Sequence, residues 1–432
     1  MHLKVAVLGG YGLIGSACIQ ALKCAEFQVV GIGRSAEKAR QCDGEIEWVI
    51  RDISTTSADE WKSILTGFDV VVNAAGALQD GAQDRVSAIH ETAVKNICDA
   101  LVGCRVRVVQ ISAAGVSEDA STEFFRSKAR GDKILRNSGL DHVILRPTLV
   151  ISPKAYGGTA LLRAAAAMPV CGLHVSPDAS MQTVSVADVA GAVVQAARGD
   201  IATGTQADLS EAGARTLGEV TRELRAWQGF APWRFEITLP RVLVKVVGWG
   251  ADLAGWLGWR SPLRSTALRV LEDGVAGQVE AWQDAGGQPF RALEETLAAM
   301  PAGVQERWFA RLYLMLPMAV VCLALFWLSS GIIGFWQRAA AAEILTARGM
   351  AGWSGQTLVL LGCVADIAVG LGVLWRPTAR VACYGMVLIS LGYITGSVFW
   401  AGDLWADPLG PMVKVIPGIM LALMTGGLLE DR

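Results

Sequence analysis

The stretch Leu8-Gly9-Gly10-Tyr11-Gly12-Leu13-Ile14-Gly15-Ser16 follows the apolar run Lys4–Leu8 and passes into a helical pattern. Its glycines satisfy the spacing G-x-x-G-x-x-G and, starting at Gly10, G-x-G-x-x-G. Glycine lets the backbone turn sharply and approach a pyrophosphate, which the amino end of the following helix then holds. A bare glycine pattern is also compatible with an ordinary tight turn, but the strand before it and the helix after it favour a dinucleotide site.

Apolar runs alternate with helical patterns through about the first 200 residues. Strands are predicted at Lys4–Leu8, Gln28–Ile32, Glu47–Ile50, Val70–Asn73, Val106–Ser112 and His142–Arg146. Several are continuous runs of Val and Ile, which is typical of parallel strands covered on both faces. We therefore expect an α/β fold with a doubly wound parallel Rossmann sheet. The predicted domains are a nucleotide-binding domain over 1–203, a mostly helical substrate lobe or connector over 204–303, and a membrane domain over 304–432.

The composition predicts the membrane domain. The hydrophobic fraction is 52% and the charged fraction is 18%, below the roughly 25% usual for soluble proteins. The apolar excess lies in the runs Leu312–Trp336, Thr357–Trp375, Val381–Ala401 and Pro411–Leu429. Each has about the 20 residues that cross ~30 Å of hydrocarbon, and Trp and Tyr residues lie near their ends, as interfacial aromatics do. We expect a bundle of four transmembrane helices in contact with the lipid bilayer.

Loop charges predict the orientation. The segments Arg307–Arg311 and Arg376–Arg380 are basic, whereas Gly402–Leu409 contains two aspartates and no Lys or Arg. The loop 337–354, with two arginines, points the other way. By the positive-inside rule, and because the amino end lacks the apolar run of a secretory signal, both ends are expected in the cytoplasm. The protein is predicted to be a multi-pass protein of the inner (cytoplasmic) membrane.

Charge and cysteine usage exclude other classes of function. A net charge of −2 gives no electrostatic argument for a nucleic-acid partner. The nine cysteines form no CxxC pair and the four histidines are scattered, so no metal site is predicted.

The end of the second predicted strand indicates the type of dinucleotide. NAD-selective sites place an acid there, about 20 residues after the glycines, to bind the ribose 2′-hydroxyl. This chain has Arg34 instead, in the stretch Ile32-Gly33-Arg34-Ser35. A guanidinium offers paired donors to phosphate oxygens, so Arg34 favours the 2′-phosphate of NADP(H) over NAD(H). The alternative is an arginine that is merely solvated in a loop.

These motifs resemble, in the same order, those of short-chain dehydrogenases/reductases of the extended or atypical kind. Over about residues 1–300, the glycine motif is followed by Arg51-Asp52-Ile53, Asn73-Ala74-Ala75-Gly76, Leu145-Arg146-Pro147-Thr148 and Val184–Ala190. The resemblance implies that Asp52 contacts the adenine, that Ala74, Ala75 and Gly76 line the cofactor, and that Pro147 lies beside the nicotinamide.

One position departs from that family. Its catalytic motif is Tyr-x-x-x-Lys with a serine after the preceding strand, and here Lys128 and Ser112 are present but Phe124 stands in the tyrosine's place. A phenyl ring has no proton to give, so the usual acid–base catalysis is not available. The resemblance implies that Lys128 holds the cofactor ribose and leaves Ser112 as a weaker candidate for proton transfer.

The C-terminal region resembles the DoxX-like family of small bacterial membrane proteins, on Asp366 and the stretch Trp405–Lys414. Some members are associated with quinone-linked sulfur oxidation, but membership does not fix an activity. Asp366 and Lys414 are the ionisable residues inside the predicted spans, where a charge needs a partner. They are expected to pair with each other and fix helix packing, or to form a proton relay or head-group site. Alternatively, Lys414 extends to the interface.

The segment Leu239–Trp259 carries apolar residues at helical spacing. It is either an interfacial amphipathic helix or a helix whose apolar face packs on the Rossmann domain.

Two functions follow. The first is a membrane-anchored oxidoreductase that passes reducing equivalents from NADPH to a quinone-like or isoprenoid acceptor. The second is a non-catalytic NADPH-binding subunit, sensor or assembly factor of a membrane complex, an alternative motivated by Phe124.

Overall fold

The computed structural model describes residues 3–430 except 79, 81–84, 260, 262 and 409. The chain forms two compact units. The N-terminal unit contains residues 1–252 and 261–310, and the C-terminal unit contains residues 253–260 and 311–432. Residues 253–260 of the chain therefore belong to the C-terminal unit, residues 261–310 to the N-terminal unit again, and all later residues to the C-terminal unit.

The strands of the described residues all lie in the N-terminal unit. They are β1 (Lys4–Leu8), β2 (Gln28–Gly33), β3 (Glu47–Ile50), β4 (Val70–Asn73), β5 (Arg107–Ile111), β6 (Asp141–Pro147), β7 (Leu149–Ile151), β8 (Cys171–His174), β9 (Ser180–Met181), β10 (Thr183–Ser185), β11 (Gln206–Leu209), β12 (Arg215–Thr216) and β13 (Phe235–Thr238). In the described part of the chain, seven of them form one parallel sheet in the order β11-β6-β5-β4-β1-β2-β3. The remaining strands pair in twos: β7 with β10, β8 with β13 and β9 with β12.

Helices cover both faces of the sheet. The first twelve are α1 (Leu13–Cys24), α2 (Ala36–Cys42), α3 (Ala58–Leu65), α4 (Ala93–Leu101), α5 (Glu123–Arg136), α6 (Gly157–Ala166), α7 (Val186–Arg198), α8 (Leu217–Trp227), α9 (Arg241–Trp256), α10 (Ser265–Asp273), α11 (Glu280–Asp284) and α12 (Leu293–Ala298). Along β1, Val5 and Val7 face the core built by α1 and α7, whereas Ala6 and Leu8 face the core built by α3, α4 and α5. Because successive strand residues point to opposite faces, an all-apolar strand buries both sides. The predicted doubly wound Rossmann sheet is confirmed.

The sheet extends further along the chain than the predicted strands. Each predicted strand from β1 to β6 is present with ends within one residue of the prediction. The seventh, Gln206–Leu209, pairs with β6 although it lies beyond residue 203, where the predicted nucleotide-binding domain ends. Residues 204–303 thus contribute a strand to the sheet as well as helices. Among these helices, α8 and α12 share a second apolar core with α6.

The C-terminal unit is helical. Its helices are α13 (Val304–Trp336), whose first turns belong to the N-terminal unit, α14 (Arg338–Thr346), α15 (Gly352–Gly372), α16 (Arg376–Trp400) and α17 (Val415–Leu428). Among the described residues, three of these helices, α13, α15 and α16, are long and apolar enough to cross a membrane. Their shared core consists of apolar side chains such as Leu323, Trp327 and Met386. We therefore describe this unit as a membrane domain.

The fourth predicted span is shorter than expected. Only Val415–Leu428 is helical, and its 14 residues span about 21 Å at 1.5 Å per residue, less than the ~30 Å of a hydrocarbon core. Residues 411–414 form turns instead, because Gly410 has a positive φ of 57° and proline follows it. Lys414 consequently stands at the N-cap position of α17, where it is exposed and precedes the helix, and its side chain makes no capping hydrogen bond with the described residues.

The predicted pair between Asp366 and Lys414 is wrong. Asp366 of α15 is buried, and its two carboxylate oxygens accept hydrogen bonds from Ser330 Oγ of α13 and Tyr393 Oη of α16, each at 2.7 Å. Two neutral hydroxyl groups therefore satisfy the carboxylate in place of a cation. They also connect the three long helices through one polar group, which is costly to leave without partners in an apolar environment.

Close packing of α13 against α15 generates a testable prediction. A β-carbon on Gly370 would lie 2.9 Å from Leu328 Cγ and 3.0 Å from Leu328 N, so a larger residue must push the two helices apart. Gly370→Leu is expected to lower the free energy of unfolding of the membrane domain by about 1–3 kcal/mol, the usual cost of overpacking. The thermal midpoint in detergent measures the effect. Gly392→Leu in α16 is the matched control, since no atom lies within 4 Å of its β-carbon position; equal midpoints for the two variants would contradict the packing argument.

Candidate nucleotide site

The loop after β1 is packed at backbone contact. Gly9 has a positive φ of 68°, and a β-carbon there would lie 2.8 Å from Ala75 Cα. A β-carbon on Gly15 would lie 2.2 Å from the carbonyl oxygen of Gly9. Any side chain at either position would therefore separate α1 from the loop and the loop from the end of β4. The structure thus brings the predicted residues Gly9 and Gly15 close to each other and Gly9 close to Ala75. The spacing at positions 9 and 15 leaves room only for glycine.

The amino end of α1 has no side-chain cap. The N-cap residue is Gly12, which has no side chain to cap the helix, and the first turn contains no acidic residue. The amides of Leu13, Ile14 and Gly15 belong to that first turn and have no acceptor within the helix. Together with the helix dipole, these donors favour an anion such as a phosphate. The arrangement fits a dinucleotide pyrophosphate.

Three predicted residues meet at the carboxyl ends of β2 and β3. The backbone N–H of Arg34 donates to the Tyr11 hydroxyl at 3.2 Å, and Arg34 Nη1 lies 4.0 Å from Asp52 Oδ2. The other oxygen of Asp52 accepts from Ser54 N at 2.9 Å and Ser54 Oγ at 2.7 Å. The Tyr11 ring lies against Gly33, where a β-carbon would be 2.3 Å from the ring. These contacts hold Arg34 and Asp52 side by side at one end of the sheet edge.

Lys128 lies on α5, at the other side of the glycine loop along the sheet edge. Its ammonium group is buried and donates to the carbonyl oxygen of Ile111 at 3.0 Å. A β-carbon on Gly76 would lie 3.7 Å from Lys128 Nζ, so these two predicted residues are neighbours. Burial lowers the pKa of Lys128 to about 8, although the negative charge of Asp132 acts to raise it. Pro147 ends β6, and its carbonyl accepts from Ala114 N at 3.0 Å.

Ser112 binds a carboxylate that the sequence interpretation missed. Its hydroxyl donates to Asp132 Oδ2 at 2.8 Å, and Arg146 Nε and Nη2 donate to the same oxygen at 3.3 Å. Burial raises the pKa of Asp132, while the Ser112 hydrogen bond and Arg146 lower it. The second oxygen, Oδ1, is buried and accepts no hydrogen bond from the described residues. The proton of Ser112 is therefore engaged, and the only sequence signal for Asp132 was its position one helical turn after Lys128.

His90 is the second residue that was missed. It lies in a π-helical turn, Ala88–Thr92, where its Nε2 accepts from Ala77 N at 3.2 Å and its Nδ1 lies 2.9 Å from Ser127 Oγ. Burial, followed by the charge of Lys128, lowers the pKa of His90 to about 2, so the ring is neutral. No local pattern marks this residue, because its partners come from distant segments.

Phe124 fills the corner between His90 and Lys128. Its ring packs edge-on against the His90 ring, with centroids 5.7 Å apart, and Lys128 Nζ lies 5.7 Å from the Phe124 centroid. The position that carries a tyrosine in the resembling family is therefore occupied by a half-buried phenyl ring that lies against His90 and Lys128. The predicted residues as a whole divide into two groups, Arg34 with Asp52 and Lys128 with Gly76, on either side of the glycine loop, as an extended dinucleotide requires.

Comparisons with known proteins agree with this architecture. Residues 9–200 match an NAD(P)H-binding family model, and residues 324–423 match the model of the DoxX-like family. The chain thus combines an NAD(P)H-binding domain with a DoxX-like membrane domain, and both resemblances drawn from the motifs are confirmed at this level. The Saccharomyces cerevisiae protein named UPF0659 protein YMR090W is 27% identical over 157 residues, which cover 34% of this chain and 69% of that protein.

Solved structures share the fold of the N-terminal unit. The Bordetella bronchiseptica enzyme WbmG in complex with NAD is 17% identical, with a TM-score of 0.52, and the match covers 69% of this chain and 93% of WbmG. UDP-glucuronic acid 4-epimerase from Bacillus cereus in complex with NAD is also 17% identical, with a TM-score of 0.52. The match covers 72% of this chain and 100% of the epimerase chain. At this identity the similarity shows the fold alone.

The neutral His90 predicts an acid-sensitive N-terminal unit. The folded protein keeps this ring unprotonated down to about pH 2, whereas the unfolded chain takes up the proton near the ordinary pKa of 6.5. Between these values the unfolded state binds more protons, so stability is lost as the pH falls below 6.5. From pH 7.5 to pH 5 the loss attributable to His90 is expected to be about 2 kcal/mol. Urea unfolding in detergent, followed by pulse proteolysis, measures it.

His90→Gln retains a hydrogen-bonding side chain without a titrating ring, so it is expected to lose less stability than the wild type over the same pH interval. His142→Gln, at a buried histidine of β6, is the matched control and should retain the wild-type loss because His90 is still present. Identical pH profiles for the wild type and His90→Gln would contradict the assignment.

Proposed function

We propose that this chain binds NADP(H) along the carboxyl edge of its sheet and passes reducing equivalents to a lipophilic acceptor, quinone-like or isoprenoid, in the membrane. The observation that carries the proposal is the uncapped amino end of α1 behind a loop with no room for a side chain at Gly9 or Gly15. Backbone donors that point outward from such a cradle suit a pyrophosphate. Gly10, Tyr11, Gly12, Leu13 and Ile14 complete the proposed contact segment.

Arg34 supports selectivity for the phosphorylated dinucleotide. Its Nη1 lies 4.0 Å from Asp52 Oδ2 at the carboxyl end of β2, and a guanidinium at this position suits the paired oxygens of a 2′-phosphate. Asp52 itself is proposed to contact the adenine side, while Ala74, Ala75 and Gly76 line the centre of the cofactor.

At the nicotinamide side, the residues hold the cofactor but lack a phenolic acid. When bound, NADPH supplies a hydride, and with one proton from water this reduces a quinone to a quinol. Lys128, beside Gly76, is proposed to bind the ribose hydroxyls, and Pro147 to border the ring. Phe124 cannot donate a proton, and the proton of Ser112 is directed at Asp132. These features favour an acceptor that needs no tyrosine for its protonation.

The proposed location is the inner (cytoplasmic) membrane, with the N-terminal unit and the C-terminus in the cytoplasm. Basic segments at 307–311 and 376–380 and the acidic loop 402–409 support this orientation. A soluble electron donor and a membrane-soluble acceptor would then be handled by one chain.

A second function remains a candidate because of Phe124. The packed ring between His90 and Lys128 supports a role in which NADPH is a structural or sensing ligand of a membrane-complex subunit or assembly factor. This alternative predicts tight, slowly exchanging cofactor and no turnover.

The first test is equilibrium binding of NADPH and NADH to the detergent-solubilised full chain. NADPH is expected to bind at least about tenfold more tightly, or ~1.4 kcal/mol, because only its 2′-phosphate can engage Arg34. Arg34→Ala should remove the difference while leaving NADH affinity unchanged. Arg40→Ala, which removes an exposed charge on the neighbouring helix α2, is the matched control and should preserve it. Equal affinities in the wild type would contradict NADP selectivity, and no binding of either nucleotide would contradict the nucleotide site itself.

The second test separates the two functions. NADPH oxidation is measured with a panel of quinones and isoprenoid carbonyl compounds for the wild type and Phe124→Tyr. The oxidoreductase proposal expects quinone turnover in the wild type that Phe124→Tyr leaves within about twofold, because a quinone takes its proton from water. A restored phenol is expected to help only carbonyl acceptors, by up to the ~10²-fold that general acids contribute. Tight NADPH binding without turnover on any acceptor would instead support the non-catalytic function.

A further inference from the structure

Helix α9 has two different faces. On one face, Val244 and Gly248 are buried, and the β-carbon position of Gly248 lies 3.3 Å from Leu268 Cδ1 of α10. Asp252 extends this contact, because its Oδ1 accepts from Arg264 Nε at 3.1 Å and from Ser265 N at 3.3 Å. The helix is therefore held in place by its small and polar residues.

The other face is apolar and exposed. It forms a stripe along the helix, with exposed fractions that reach 69% at Trp249 and 81% at Trp256, made of Val242, Val246, Trp249, Leu253 and Trp256. Successive members are three or four residues apart, so they lie on one side of the helix. We call these five residues the α9 stripe. The expectation that this apolar face packs on the Rossmann domain is wrong, and a continuous apolar surface of this kind marks a contact with something else.

The residues after α9 belong to the membrane domain. Trp259 Nε1 donates to the carbonyl oxygen of Leu374 at 2.6 Å, and Arg376 N donates to the carbonyl oxygen of Leu257 at 3.0 Å. The Arg376 guanidinium also lies 5.7 Å from the Trp259 ring centre. These contacts are made where α15 ends and α16 begins, at one end of two helices that are long and apolar enough to cross a membrane.

We propose that α9 lies in the interface of the bilayer that the long helices cross, with the α9 stripe inserted among the lipid head groups and upper acyl chains. The last members of the stripe, Leu253 and Trp256, belong to the C-terminal unit, and the residues that follow them contact the ends of two of its long helices. Two of its five members are tryptophans, which prefer this interface. Arg241 and Lys245 are exposed on the same helix, and their charges suit anionic head groups.

Lipid contact by α9 is independent of nucleotide binding. The spanning helices already anchor the chain, so α9 adds a second point of attachment to the membrane surface, before the first span begins. A second copy of this chain or another protein on the same stripe is distinguished from lipid by the identity of a cross-linked partner.

The test places the photoreactive residue p-benzoylphenylalanine at single positions of the full chain in vesicles of phosphatidylethanolamine and phosphatidylglycerol. Trp249 and Leu253 probe the stripe. Val381 of α16, 72% exposed, is the positive control. Val102 of the N-terminal unit, 67% exposed, is the matched control and is expected to contact water. After irradiation, mass spectrometry identifies what is attached at each position.

Lipid adducts at Trp249 and Leu253 are expected at yields comparable to Val381 and about tenfold above Val102, as for residues inside the interface. An adduct to a second copy or to another protein, without lipid, would overturn the proposal. So would the absence of lipid adducts at both stripe positions when Val381 reacts. Thermal midpoints equal to the wild type establish that each substituted protein is folded, and the exposure of all four side chains makes such substitutions tolerable.

Discussion

The rest of the N-terminal unit depends on the lack of room for a β-carbon between the first loop and its neighbours. The carbonyl oxygen of Gly9 occupies the place where a side chain at residue 15 would begin, and the backbone of Ala75 occupies the place of one at residue 9. This contact sets how closely α1 approaches β1 and β4. The free amides of α1 can then point at a ligand from the centre of the sheet edge, with Arg34 on one side and Lys128 on the other.

The region around Lys128 has an ordered network of polar side chains although Phe124 provides no phenol. Three of its polar side chains have partners within the network: Lys128 bonds to a backbone carbonyl, Ser112 to Asp132, and His90 to Ala77 and Ser127. In a buried setting such partners are obligatory, since an unpaired group would cost about 1–3 kcal/mol. The network positions the ammonium group beside Gly76 without a phenol. In the proposed site, Lys128 would bind the cofactor without a phenol to donate a proton, whereas one tyrosine–lysine pair serves both purposes in the resembling family.

Features written in local sequence were predictable, and features made by distant partners were not. Strands β1 to β6 and the glycine turn could be located because apolar runs and glycine spacing act within a few residues. Strand β11 was missed because Gln206–Leu209 is short and half polar. His90 carries no local signal, and Asp132 carries only its spacing from Lys128, since their partners Ala77, Ser112 and Arg146 come from other elements. The Asp366–Lys414 pair failed because charge was the sole criterion, whereas hydroxyls from Ser330 and Tyr393 meet the same need.

The double passage of the chain between its two units has a consequence for biosynthesis. Trp259 leaves the ribosome 115 residues before Leu374, the residue whose carbonyl it binds. The sheet can close around β11 as soon as residues 206–209 are made, but the end of α9 has no partner until α15 has entered the bilayer. Translation thus produces the sheet and the contacts of α9 with α10 first, while Trp259 lacks the carbonyl of Leu374 until the first two spans have been made. A single cut before the first span would leave residues 253–260 on the N-terminal fragment without the helices that they contact, so one cut does not divide the chain along the boundary of its two units.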